Sequence, residues 1–131
     1  MIILKVTLCT AAAAGILAIW LMVRVGQVRQ SQEVSVGDAG NDHVIRRMRA
    51  HANFIETTPI ALILIAAIEL TGKGEPWLSY VAAAFLIGRV AHMFGMEPDG
   101  FGKGRLIGTM AALLTFLGLG VVAVLIALGV M

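Results

Sequence analysis

The chain has 131 residues, 59% of them hydrophobic and 14% charged, with a formal net charge of +2. Soluble domains carry about 25% charged and about 45–50% apolar residues, so this composition excludes a disordered chain, a fibrous repeat and an ordinary soluble enzyme. The pI near 9.1 rests on so small a net charge that no large basic surface is left for nucleic acid.

The mean hydropathy is +0.90, and the length suits a single domain over residues 1–131. The lone cysteine, Cys9, cannot make an internal disulfide. It lies in an apolar run and reads as a buried, inert thiol.

A bilayer core about 30 Å thick takes roughly 20 helical residues to cross. Four segments reach that length, at about residues 3–25, 44–71, 76–96 and 105–130. In the first, Val6–Val23 has no charged residue. That run is longer than a cleaved signal core of about 7–15 residues, so it reads as a membrane helix. Gln27–Asp42 follows; it is polar, contains Gly37 and Gly40, and reads as a loop.

The second segment carries Arg46, Arg47, Arg49, His51, Asn53, Glu56 and Glu69. Thr71–Gly74 is a short turn into the third segment, where Pro76 suits a first helical turn and Arg89 and His92 lie further on. Glu97–Gly104, with Pro98 and three glycines, leads to the uncharged run Leu106–Met131. Short connections make antiparallel neighbours, so the expected fold is an all-α, four-helix up-and-down bundle in the membrane. Small residues at Ala11–Gly15, Ala82–Ala84, Gly118 and Gly120 are expected to let helices approach closely.

The cations set an orientation. Arg24, Arg29, Arg46, Arg47 and Arg49 gather around the first connection, and Lys103 and Arg105 flank the third on the same side. Only Lys5 and Lys73 lie opposite. The positive-inside rule then makes the arginine-rich side cytoplasmic and both termini periplasmic. For Arg24, Arg46 and Arg47 the simplest reading is snorkelling that sets this topology.

Ionisable groups within a span cost about 2.5–3.5 kcal/mol each on insertion scales, so they need partners. At about 100° per residue, Arg46, Arg49, Asn53 and Glu56 share an arc of roughly 80°. Arg47 and His51 lie on another face, open to a neighbouring surface or subunit. Arg89 and His92 share a face that Met93 and Met96 continue. Glu56 is the natural anion for Arg49 or Arg89, and that pair by itself could be purely structural.

Arg29 closes the first helix and Arg105 opens the fourth, so Arg29, Arg49, Arg89 and Arg105 come from four helices. With Asn53, Glu56 and His92 they form a polar pocket open to the cytoplasm. Arginine forks bind carboxylates and a carboxylate holds an ammonium, so the ligand expected is a small polyanion with at least two carboxylates and an amine. No metal site is expected, because the three histidines are scattered. Asp42 and His43 read as solvated, Glu69 and Glu75 as interfacial acids without a function, and Trp20, Trp77 and Tyr80 as packing or anchoring residues.

The pattern Arg46-x-x-Arg49-x-His51-x-Asn53-x-x-Glu56, followed by Pro59, resembles the signature of the membrane-associated proteins in eicosanoid and glutathione metabolism, the MAPEG family. Gly26–Arg29, Arg89-x-x-His92 and Arg105 extend the likeness to nearly the whole chain, in the manner of the small bacterial members. The resemblance implies a bacterial inner-membrane homotrimer with glutathione as co-substrate, bound between protomers near the cytoplasmic helix ends. Arg29, Asn53, Glu56, His92 and Arg105 would contact it, Arg49 and Arg89 would order the polar core, and His51 would contribute at the interface.

Arg105 would stabilise the thiolate, since a nearby cation favours the ionised thiol. The second substrate would be an apolar electrophile or hydroperoxide arriving through membrane lipid, which makes the protein a glutathione transferase or peroxidase. The alternative is a non-catalytic membrane protein of this fold that binds glutathione or lipid. A small multidrug exporter is disfavoured, because the first helix has no acid. The chain departs from several members in having Met96 where they carry a tyrosine, and from the prostaglandin synthase in having Leu106 where that enzyme has serine. On this reading no hydroxyl assists the thiol.

Overall fold

The computed structural model describes residues 2–74 and 76–131; Glu75, read above as an interfacial acid, lies outside them. The chain forms four helices, α1 (Lys5–Ser31), α2 (Asp42–Leu70), α3 (Trp77–Gly95) and α4 (Gly104–Ala127). Each is long and apolar enough to cross a membrane, and the described residues contain no strand. The protein is an all-α integral membrane protein.

α1 is longer than its apolar run. It continues through Gln27–Ser31, the first part of the polar stretch that reads from sequence as a loop. Its end is set by hydrogen bonds: the Val34 N–H donates to the Arg29 carbonyl at 2.9 Å and the Glu33 N–H to that of Gln30 at 3.3 Å. This is a Schellman closure, which usually places glycine in the left-handed position. Here Glu33 occupies it, at φ 56°, so the glycine signal that marks a helix end is missing. α2 begins more conventionally, with the Asn41 side chain accepting from the N–H groups of His43 and Val44 at 3.0 and 3.2 Å. Pro59 lies inside α2, and the helix nevertheless runs on to Leu70.

α2 and α3 touch each other and form the centre of the protomer. α1 and α4 each pack on both of them, on opposite sides, and do not touch one another among the described residues. With two helical neighbours only, α1 leaves much apolar surface free, and Cys9 is exposed rather than buried as its apolar surroundings suggest.

The closest helix approach is between α3 and α4. A Cβ on Gly108 would strike His92 and the Gly88 carbonyl, and one on Gly104 would strike the Ala91 carbonyl. Gly104, Gly108 and Ala112 form the small-residue stripe of α4. Gly15, Gly118 and Gly120, read from sequence as helix contacts, have nothing near their α-carbons. They lie on faces of α1 and α4 that the protomer does not cover.

The end of the bundle that holds the α2–α3 turn is closed by apolar packing and one acid. Ile65, Ile68, Leu78 and Leu119 are at most 1% exposed. Glu69 accepts from the N–H groups of Val6 and Thr7 at 2.7 and 2.8 Å and from the Thr7 hydroxyl at 2.7 Å. A helix leaves its first N–H groups without internal partners, and the N-cap of α1, Leu4, offers no side-chain acceptor. Glu69, read from sequence as functionless, caps α1 from across the bundle.

Candidate functional site

The other end holds the two longer connections and the charge. Here Arg49 and Asn53 on α2, His92 at the end of α3, Met96 just beyond it, and Arg105 and Thr109 on α4 line a cavity of about 170 Å³. Gly95 and Gly104 let the end of α3 lie against the start of α4, which holds His92 next to Arg105 and Thr109. The cavity thus unites four of the residues singled out from sequence: Arg49, Asn53, His92 and Arg105.

Arg89 lies behind this wall, 4% exposed. One guanidinium nitrogen donates to the Asn53 side-chain oxygen and to the Thr57 hydroxyl, and another donates to the Gly108 carbonyl. Sequence reasoning paired Arg89 with Glu56; the structure pairs it with neutral acceptors instead. Its Nε is buried with no partner, and no acid bonds it among the described residues. Because arginine only donates, the Asn53 atom facing it must be the amide oxygen. The Asn53 NH2 remains for the cavity. By holding Gly108, Arg89 also ties α4 to α2 and α3 on either side of the site.

The remaining candidates stand apart within one protomer. Arg29 donates to the Ser35 carbonyl at 3.2 Å and to the Met48 sulfur at 3.4 Å, and borders a separate hollow with Gln30, Glu33, Val34 and Ser35. His51 is half-buried on α2 and does not line the cavity. Glu56 is exposed on α2, without an ion-pair partner among the described residues. The outward face of α2 therefore carries Arg49 and Glu56 above apolar Ile60 and Ile63.

Two functional features escaped sequence reasoning. Arg24 and Arg47, read as topological snorkels, both bind Glu97 in the α3–α4 connection. Arg47 Nε lies 3.0 Å from the carboxylate, and its guanidinium also reaches the Arg24 carbonyl at 3.1 Å. Arg24 further stacks over Trp20 and Phe94, at 5.3 and 5.5 Å from the ring centroids. This cluster fastens the α3–α4 connection, whose first residue Met96 lines the cavity, to α1 and α2. The second feature is Thr109, a hydroxyl-bearing residue that lines the cavity where no hydroxyl was expected. Its spacing of one helical turn from Arg105 was the available signal.

Chemically, the cavity presents two guanidiniums, an amide NH2, an imidazole, a hydroxyl and a thioether, and no carboxylate. Such a lining suits an anion. Among the described residues no three His, Cys, Asp or Glu side chains converge as metal ligands. Two larger hollows of about 370 Å³ lie between α1 and α3; one is lined wholly by aliphatic side chains and the other, mostly apolar in its exposed surface, also has Lys5, Cys9, Thr10 and Ser79 in its wall.

The model of the MAPEG family matches residues 7–125. Among curated proteins, Inner membrane protein YecN from Escherichia coli strain K12 is 29% identical over 88 residues, which is 66% of this chain and 66% of the relative. The protein of the same name from Escherichia coli O6:H1 strain CFT073 aligns with the same figures. The chain thus spans just under two thirds of the length of these relatives. No solved structure gives a significant match.

Proposed function

The chain belongs to the MAPEG family, and from that premise we propose that it is a glutathione-dependent membrane enzyme, a transferase or peroxidase for apolar electrophiles or hydroperoxides. The observation that carries this reading is the cavity in which Arg49, Asn53, His92 and Arg105 meet without any carboxylate. Glutathione supplies two carboxylates, an amine and a thiol. Arg49 and the Asn53 amide suit its carboxylates, and Arg105 suits the sulfur once it is ionised.

The bound thiol gives its proton to solvent. The thiolate then attacks an electrophile and displaces its leaving group, forming a thioether. With a hydroperoxide, two glutathione thiols yield the disulfide, an alcohol and water. The second substrate enters from the bilayer, since Leu106, Ile107 and Met110 around the site are exposed apolar residues.

A homotrimer belongs to the same proposal. Glu56 and Arg49 are exposed on a membrane helix of the single protomer, and a charged group facing lipid is costly. A second copy against this face would cover both, and would bring Arg29 of one protomer towards the site of the next. The likeness to YecN supports a bacterial inner-membrane location, with the arginine-rich end cytoplasmic by the positive-inside rule.

The test is binding and turnover with purified protein in detergent. Glutathione should bind in the millimolar range or tighter, and a generic aryl halide or an organic hydroperoxide should be turned over. Glu56→Gln should weaken binding at least about tenfold, a change of about 1.4 kcal/mol. Absence of glutathione binding by the wild type would remove the proposal.

A further inference from the structure

The cavity holds one group that the proposed chemistry has not used. Thr109 is on α4, four residues after Arg105 and so about 6 Å further from the charged end. Its Oγ1 donates to the Arg105 carbonyl at 2.9 Å, and the side chain lines the cavity beside Arg105, His92 and Met96. From Leu106 to Leu114 it is the sole hydroxyl of α4. Its neighbours Leu106, Ile107 and Met110 are exposed apolar residues. The backbone at this point is held from two sides, by Arg89 on the Gly108 carbonyl and by the contact of Gly108 with His92. The hydroxyl is therefore presented on a rigid wall.

We propose that the Thr109 hydroxyl is a second hydrogen-bond donor to the sulfur of bound glutathione, beside Arg105. The inference rests on the glutathione reading given above. Depth is the first argument. An apolar electrophile arrives from the bilayer, so the sulfur must lie at the membrane side of the cavity, and Thr109 is the α4 polar group on that side. The second argument is selectivity for the charged form. Within the protomer the hydroxyl proton is donated to a neutral carbonyl. Turning it to a thiolate exchanges that bond for a charge-assisted one, roughly twice as strong. A neutral thiol offers no such gain. The exchange thus favours ionisation, in which the thiol proton passes to solvent and the electron pair stays on sulfur.

The experiment compares wild type, Thr109→Val and Thr109→Ser in detergent, with glutathione and S-methylglutathione as probes. The pH midpoint of the ultraviolet thiolate absorbance of bound glutathione is read for each. Valine keeps the shape and removes the hydroxyl, and should raise the midpoint by about one unit, or about tenfold less thiolate at a fixed lower pH. Serine should stay within about 0.3 unit of wild type. S-methylglutathione has no ionisable thiol and should bind all three alike.

A wild-type midpoint in Thr109→Val would overturn the role of the hydroxyl and leave glutathione binding intact. Loss of S-methylglutathione binding in Thr109→Val would also overturn it, because the residue would then be shaping the cavity. No glutathione binding by the wild type would overturn both this inference and the reading beneath it.

Discussion

The two ends of the bundle handle buried polarity in opposite ways. At the α2–α3 turn a single acid, Glu69, receives three hydrogen bonds from the start of α1 above a closed apolar core. At the other end Arg49 and Arg105 line an open cavity with no anion, and Arg89 behind them has only neutral acceptors. At the closed end the acid completes its hydrogen bonds inside the protomer, whereas Arg49 and Arg105 at the cavity keep donors to spare. The charged end contains both kinds, since Arg24 and Arg47 share Glu97 and have a complete structural account. Charge alone therefore does not mark the site.

The largest expected effect tests the packing that holds the open end in shape. Gly108→Ala should destabilise the protein by about 3 kcal/mol, the upper part of the overpacking range, because the new methyl meets His92 and the Gly88 backbone. It should also abolish glutathione binding by displacing His92. Gly118→Ala meets nothing and should be neutral or slightly stabilising through helix propensity. Thermal unfolding in detergent reads both, and equal effects would show that the close α3–α4 approach does not organise this end.

Glu97→Gln comes next. It strips two arginines of their shared anion. Removing one partner from a buried pair costs about 3–5 kcal/mol; with side chains 12–27% exposed here, about 2 kcal/mol is expected. Unfolding should shift accordingly, and glutathione affinity should fall because the connection that positions Met96 at the cavity loosens. A stable variant with unaltered binding would mean the cluster is an ornament of the surface.

The smallest effect belongs to the closed end. Glu69→Gln keeps one acceptor and loses the charge, for about 1 kcal/mol, in the range of a lost helix cap. The amides of Val6 and Thr7 should exchange faster with solvent deuterium while glutathione affinity stays at the wild-type value. Altered affinity would show that the two ends are coupled along α1 or α2.

Much of the site was legible because it is local. Arg49 and Asn53 are one turn apart on α2, and their shared face follows from helical geometry alone. The Glu97 cluster was not legible, since its partners lie 73 and 50 residues away in sequence. Thr109 is illegible for a different reason: the family resemblance singles out the positions of Met96 and Leu106, and a hydroxyl one turn further on falls outside that pattern. The α1 boundary was misplaced because Glu33, rather than a glycine, takes the left-handed position after the helix.

Sequence by itself determined the number of helices, their membrane character and the arginine-rich end, because span length and charge distribution are sums over neighbouring residues. It also determined the polar face of α2, since a helix repeats every 3.6 residues whatever surrounds it. Tertiary structure alone decided which polar groups are spent and which are free. Arg89 turned from Glu56 to Asn53 and Gly108 because the close α3–α4 approach carries it inward, towards the middle of the protomer, while Glu56 points out of it. Hydrogen bonds depend on distances of a few tenths of an ångström between helices far apart in the chain, and no pattern along the chain encodes those distances.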